Sequence, residues 1–264
     1  MKFASFLKFA VLALLAGVFV LALAGCGATS NLNLTPGNWS MAGTPNGGGA
    51  GSVFYIGGNL TQSGAKLTGT MEFISSTCYS FSQIVAFTGT VKGNNVKLTS
   101  ANVGGEVLTI TASGTSGSAL TGTYSIAGGI GCNGQTGTIA ANPVASVSAT
   151  WSGPLVGDSN GDPNVMFAVA LTEATTAATD GTFGLSGTLT YTGSTCSTSG
   201  TIDGTTSFIV GPYLLVNATT DDGGTLTYTA DLNNTASPTA TTNSSYSVSG
   251  GNCNDLLTLN LTKQ

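Results

Sequence analysis

The chain predicts an all-β protein: two tandem antiparallel β-barrel or β-sandwich domains of about eight strands each. Three observations carry this reading: a period-two alternation of apolar and polar residues, evenly spaced turn signals, and an internal repeat. Lys66-Leu-Thr-Gly-Thr-Met-Glu-Phe73, Asn95-Val-Lys-Leu-Thr99 and Val107-Leu-Thr-Ile-Thr111 show the alternation, with Thr in many of the polar places. Lys92-Gly-Asn-Asn95 and Asp221-Asp-Gly-Gly224 show the turns. Past residue 25, no stretch shows an apolar stripe of helical period with caps.

The repeat runs in one order through both halves. Asn-Trp39-Ser is echoed by Thr-Trp151-Ser, and Leu67-Thr-Gly-Thr70 by Leu185-Ser-Gly-Thr188, each followed by a cysteine, Cys78 or Cys196. Phe87-Thr-Gly-Thr-Val91 corresponds to Thr198-Ser-Gly-Thr-Ile202, and Leu108-Thr-Ile-Thr-Ala112 to Leu226-Thr-Tyr-Thr-Ala230. Tyr124-Ser-Ile-Ala-Gly-Gly, ending at Cys132, returns as Tyr246-Ser-Val-Ser-Gly-Gly, ending at Cys253. The repeat sets the expected boundaries: a first β domain over 37–141, a linker over 142–147 and a second β domain over 148–264. In the first domain, strands are expected near 37–43, 52–62, 65–74, 84–91, 95–100, 106–112, 118–127 and 136–141.

The segment ahead of the first domain reads as targeting sequence. Lys2 and Lys8 give a positive start, Phe9 to Ala24 is an unbroken apolar and small run, and Leu23-Ala24-Gly25-Cys26 ends it. This ending resembles the lipobox of bacterial lipoproteins. The resemblance implies a signal peptide over 1–25, cleavage before Cys26, and acylation of that cysteine, whose thiol alone can form the thioether. Two or three acyl chains make a lasting membrane anchor, since each buried methylene contributes about 0.8 kcal/mol. Gly27 after the cysteine, by the same likeness, implies sorting to the outer membrane. Residues 26–36 are then the acylated cysteine and a flexible tether.

Charge excludes several function classes. There are eleven acids against six Lys, with no Arg and no His. Two of the Lys lie in the signal segment, so Lys66, Lys92, Lys97 and Lys263 remain. Nucleic acid is not an expected partner, because phosphate neutralisation needs many Lys or Arg side chains. An Arg fork for carboxylate or phosphate ligands is also missing. Glu72 and Glu106 are the acids of the first domain, and the other nine fall in the second.

Four cysteines besides Cys26 lie at matching places in the repeat. An oxidising compartment favours pairing. If each copy folded alone before duplication, the bridges are Cys78–Cys132 and Cys196–Cys253. Without His or a CxxC spacing, a metal or thiol-catalytic role is not expected for them.

The remaining motifs are weak. Gly157-Asp-Ser-Asn-Gly161 has the letters of a hydrolase elbow but no His base. Ser63-Gly-Ala-Lys66 has the letters of an SxxK site but lies in a strand-turn-strand context. Asp158, Asn160 and Asp162 place oxygen side chains alternately in a turn and are the candidate Ca²⁺ ligands, although position twelve is Val169, and a plain polar turn is the favoured reading. Trp39 and Trp151 are candidate stacking platforms for a ligand; a lone Trp on the first strand of a barrel more often plugs its core. That early Trp and the later Leu-Thr-Gly-Thr also bear a faint resemblance to avidin-type barrels, from which no biotin binding is inferred. The expected function is a membrane-anchored envelope lipoprotein with a structural or interaction role and no enzymatic activity. Its partners would be the membrane, through the anchor, and envelope proteins or glycans. The alternative is a neutral small ligand or glycan held in a barrel mouth. A carboxylate-based hydrolase ranks last, because nothing singles out a carboxylate pair.

Overall fold

The computed structural model of the protein describes residues 31–47, 54–129, 131–156, 164–252 and 254–264. The alternation seen in the sequence becomes two antiparallel sheets, and no helix forms among the described residues. The first sheet is β1 (Gly37–Pro45), β2 (Phe54–Ser63), β3 (Lys66–Ser75), β4 (Gln83–Lys92), β5 (Asn95–Ser100), β6 (Glu106–Ser113), β7 (Leu120–Gly128) and β8 (Thr136–Pro143). Each strand pairs with the next, and β8 returns to β1 from Trp39↔Pro143 to Pro45↔Gly137, which closes the sheet as a barrel. Closure removes the unpaired edge that an open sheet would present. Short turns set the register: Gly93, at φ +58°, lets Lys92 pair with Asn95 across a two-residue connection.

Eight strands enclose a space that side chains can just fill. Here Trp39, Met41, Ile56, Leu60, Leu67, Met71, Phe73, Phe87, Leu98 and Leu108 fill it, all essentially inaccessible to water. The outer face carries Thr in the alternate places. Cross-strand neighbours such as Thr61 and Thr68 join hydroxyl to hydroxyl at 3.0 Å, and exposed Lys66, Lys92 and Lys97 are the charged groups among them.

The second sheet has β9 (Ala149–Leu155), β10 (Val165–Glu173), β11 (Phe183–Thr192), β12 (Ser199–Ile202), β13 (Phe208–Val210), β14 (Tyr213–Thr220), β15 (Thr225–Leu232), β16 (Thr241–Ser249), β17 (Asp255–Leu257) and β18 (Thr262–Lys263). Its order is β17-β16-β15-β14-β12-β11-β10-β9-β18, with β13 pairing both β11 and β14. Side-chain turns explain why this sheet has more and shorter strands than expected. Between β12 and β13, Asp203 accepts hydrogen bonds from the Thr205 amide (2.9 Å), the Thr205 hydroxyl (2.6 Å) and the Thr206 hydroxyl (2.9 Å). Such local bonds compete with the ladder and interrupt it. Between β17 and β18, the Ser244 hydroxyl accepts from the Leu259 amide and donates to Asn260 Oδ1. Thr241 N–H then reaches Leu261 O, and Ala240 bridges Thr262.

Two hydrophobic cores form. One lies within residues 32–141 and the other within 147–261. Two expectations need correction here. Residues 32–36 are not a flexible tether: Leu32 and Leu34 are buried in the first core. Their backbone is tied down as well, with Leu32 N–H donating to Gly93 O, Thr35 N–H to Gly117 O and Leu34 N–H to Gln62 Oε1. The cause is the alternation in Asn31-Leu-Asn-Leu34, which continues the barrel's own pattern past the first strand. Residues 142–147 are not a free linker either. Pro143 ends β8, Val144 N–H donates to Asn38 O, Ala145 N–H donates to Thr235 O, and Val147 is fully buried in the second core. Residues 32–264 accordingly make one compact unit.

One contact between the sheets sets the Asn38 side chain against the Gly211 backbone. Asn38, buried on β1, donates from Nδ2 to Gly211 O (3.1 Å) and accepts at Oδ1 from Gly211 N–H (2.8 Å). Beside it, Gly57 of β2 lies so close to the β13–β14 turn that a Cβ there would sit 2.4 Å from Gly211 Cα and N. Gly211 has φ +52°, and a Cβ on it would lie 2.8 Å from Gly57 Cα. Only glycine at both places allows this approach.

Candidate functional site

Beside the Asn38–Gly211 lock the two sheets diverge and leave a cleft of about 790 Å³. The first sheet contributes Ser40, Tyr55, Ile74, Ser75 and Phe81. Pro212, Tyr213, the end of β15 at Ala230–Leu232, the Asn233-Asn-Thr235 connection, Thr242 and Asn243 form the opposite wall.

Local irregularities aim these side chains. The β2–β3 ladder shifts register at Tyr55/Ile56, and the β15–β16 ladder shifts between Thr229 and Asp231. Both bulges fall on the cleft, and a bulge bends a strand and redirects its side chains. Asn243, at φ +50°, is held by a bond from its Nδ2 to Asp231 Oδ2 (3.0 Å). Ser82, at φ +60°, ends the turn that carries Phe81, and its N–H donates to Phe73 O (2.9 Å). Non-glycine residues in this region of backbone space store strain that the surrounding structure must hold.

The turn bearing Phe81 is well supported. Cys78 and Cys132 form a disulfide that joins the β3–β4 connection to the β7–β8 connection. Ser76 Oγ accepts from the amides of Cys78 (3.0 Å) and Tyr79 (3.1 Å), and the Tyr79 ring stacks on Phe73 at 4.0 Å. On this rigid base Phe81 stands 61% exposed, and it meets Tyr213 edge to face at 6.1 Å. Tyr55 is 40% exposed on the same wall. Phe81 and Tyr55 thus put two exposed aromatic rings on one wall of the cleft.

Polar groups complete the cleft. Burial, and then the carboxylates of Asp231 and Glu72, hold the Tyr213 hydroxyl above its ordinary pKa, so it remains a neutral donor. Asn233 spends its side chain on its own connection, accepting from the amides of Thr239 and Ala240 and donating to Thr239 Oγ1. Asn234 Oδ1 accepts from the amides of Ala236 and Ser237. Asp231 is the one ionisable carboxylate among the described residues lining the cleft, and no Lys joins it there.

The residues singled out from sequence lie elsewhere. Trp39 and Trp151 are 0% and 1% exposed. Their indole N–H groups donate to Thr35 O (2.7 Å) and Val147 O (2.8 Å), each four residues back along the chain. Neither indole lines the cleft, and both occupy the core position of a plug. In the second core, the space beside Tyr191 and Tyr246 is about 10 Å³, at the lower limit for a single water. Tyr191 and Tyr246 meet hydroxyl to hydroxyl at 3.0 Å, and burial pushes the Tyr191 pKa up. The Cys78–Cys132 pairing is present, and Cys196 is likewise disulfide-bonded. Its expected partner Cys253, the acylation site Cys26 and the candidate Ca²⁺ residues Asp158, Asn160 and Asp162 lie outside the described residues. Among the described residues no group of three or more His, Cys, Asp or Glu side chains is placed to hold a metal. Sequence reasoning missed Phe81, Tyr55 and Tyr213. A faint signal existed in Tyr79-Ser-Phe81-Ser, which places two aromatics in a Ser-rich turn beside a cysteine.

No protein-family model, curated protein or solved structure matches the chain.

Proposed function

We propose that this chain is an exported, lipid-anchored envelope protein that works by recognition rather than catalysis, with the cleft between its sheets as the contact surface. The observation that carries the reading is where open space lies. Among the described residues the barrel interior is occupied by its own side chains, whereas the 790 Å³ cleft carries exposed aromatics, hydrogen-bonding groups with Asp231 as their one carboxylate, and both ladder bulges. A volume of this size lies within the range of about 300–1,000 Å³ common to ligand sites. The cleft therefore replaces the barrel mouth as the place for a ligand.

The anchor reading rests on the run ending at Cys26, and on the small residues Ala24 and Gly25 that let a peptidase reach the backbone. The duplication belongs to the same proposal: two copies of one barrel unit, the second opened where its fourth and eighth strands are each split in two. The like-placed Trp39 and Trp151 bonds support it, as does the matching order of strand pairing.

Two measurements test the reading. Replacement of Cys26 by Ser should release the protein from membranes; a variant still membrane-bound and cut at the same bond contradicts the anchor. A photo-crosslinking residue at position 81 should capture a ligand or partner in intact envelopes, while the same residue at Lys97, on the barrel's outer wall, should not. Equal capture from both positions removes the cleft from its role.

A further inference from the structure

We infer that the cleft binds a neutral polysaccharide chain; the inference rests on the recognition role assigned to the cleft and names its ligand class. A pyranose ring has an apolar C–H face and a rim of hydroxyls. A site for it needs flat aromatic surface beside donors and acceptors that carry little charge.

Phe81 and Tyr55 supply exposed ring surface on one wall, and Tyr213 supplies a ring and a neutral hydroxyl on the other. Among the described residues, the Tyr213 hydroxyl and Asn234 Nδ2 have no intramolecular hydrogen-bond partner, so both can donate to a ligand. Asp231 Oδ2 is engaged by Asn243. Its Oδ1 remains an acceptor, as a sugar hydroxyl pair requires.

Charge selects among polymers. No Lys lines the cleft among the described residues and Asp231 does, so sulfated, phosphorylated or carboxylated chains meet repulsion with no compensating cation. An apolar peptide would need a continuous greasy groove, whereas here the aromatics alternate with amides and hydroxyls. Preorganisation favours the same ligand. The disulfide-braced Phe81 turn and the glycine-to-glycine lock between the sheets fix both walls before binding, so little ordering entropy remains to be lost.

The test is affinity electrophoresis of the detergent-solubilised, acylated protein through native gels. The gels contain dextran, laminarin or hydroxyethylcellulose, with dextran sulfate as the anionic control. The expected result is retardation by at least one neutral polymer and none by dextran sulfate. Phe81→Ala and Tyr55→Ala should each weaken retardation about tenfold, which is loss of roughly one aromatic contact. Phe81→Trp should restore it, and Lys97→Ala should leave it unchanged. Unchanged melting temperatures of the cleft variants separate lost binding from lost folding.

Retardation that survives both aromatic truncations, or that is strongest with dextran sulfate, overturns the inference. So does an absence of retardation by all three neutral polymers. In that last case the crosslinker at position 81 separates the two readings. Capture of an envelope protein there leaves the recognition role standing with a protein occupant, and no capture removes both.

Discussion

Asn38 supplies a side-chain lock between the sheets, and Asn38→Ala tests how much of the contact it carries. Asn38 makes two hydrogen bonds to the Gly211 backbone, at 3.1 and 2.8 Å, while only 5% exposed. Truncation leaves the Gly211 N–H and C=O without partners in a place that water reaches poorly, and each such buried group costs about 1–3 kcal/mol. A total near 3 kcal/mol allows for partial entry of water. For a unit of this size that corresponds to a fall of roughly 6–12 °C in melting temperature. Differential scanning calorimetry is the direct assay. Asn38→Asp is the informative companion, since a carboxylate still accepts from Gly211 N–H but faces Gly211 O with a second acceptor. It should melt between the wild type and Asn38→Ala. A melting temperature for Asn38→Ala within about 1 °C of wild type would refute the reasoning, because the amide would then carry none of the contact.

Other perturbations have definite signs. Gly57→Ala forces a Cβ to 2.4 Å from the Gly211 backbone, so the sheets must part there; stability should fall, and the cleft variants' binding losses should be reproduced without touching the cleft. Leu34→Ala should cost about 2–4 kcal/mol in urea unfolding if residues 32–36 are core, and nothing if they are a tether. Removing the Cys78–Cys132 bridge, with a sequence separation of 54, should lower stability by about 4 kcal/mol in the chain-entropy picture. The Tyr79 hydroxyl is buried without a partner, so Tyr79→Phe should raise the melting temperature rather than lower it. On the alkaline side, burial pushes Tyr79 and Tyr228 up to about 12. Their folded values exceed the unfolded value near 10, so their contribution is complete below pH 10 and is lost as pH rises toward 12. On the acid side, side-chain hydrogen bonds depress Asp203, Asp221 and Asp222, with Ser197 and Thr198 first in the case of Asp221. Their contribution is present above about pH 4 and lost below it. Urea midpoints from pH 3 to 11.5 should therefore show a plateau with loss at both ends.

Much of the first sheet was legible in the sequence because its register is local. Lys92-Gly-Asn-Asn95 closes one hairpin, and strict alternation on each side states which residues point inward, so all eight strands fall where expected. The second sheet was less legible. Asp203 and Ser244 take backbone partners with their own side chains, and those bonds break strands that alternation alone would have run through. The cleft was not legible at all. Its lock joins residues 173 apart, and its walls meet only after both sheets have formed. Phe81 reads in the sequence as one more apolar residue near a cysteine, since no local pattern says that it stands exposed on its turn. The tryptophans stand at matching places on the first strand of each repeat. Their alternation within β1 and β9 had already placed them inside, where their N–H groups find carbonyls one short step back along the chain.

Amide hydrogen exchange tests the central claim most directly. The protein is compared with and without a saturating neutral oligosaccharide cut from whichever polymer retards it. Added protection is predicted in residues 73–82 and 230–243, the two cleft walls, with peptides containing Trp39 and Trp151 unchanged. Protection centred on Trp39 and Trp151, with none in the cleft walls, would contradict it and return the ligand to the barrel mouth.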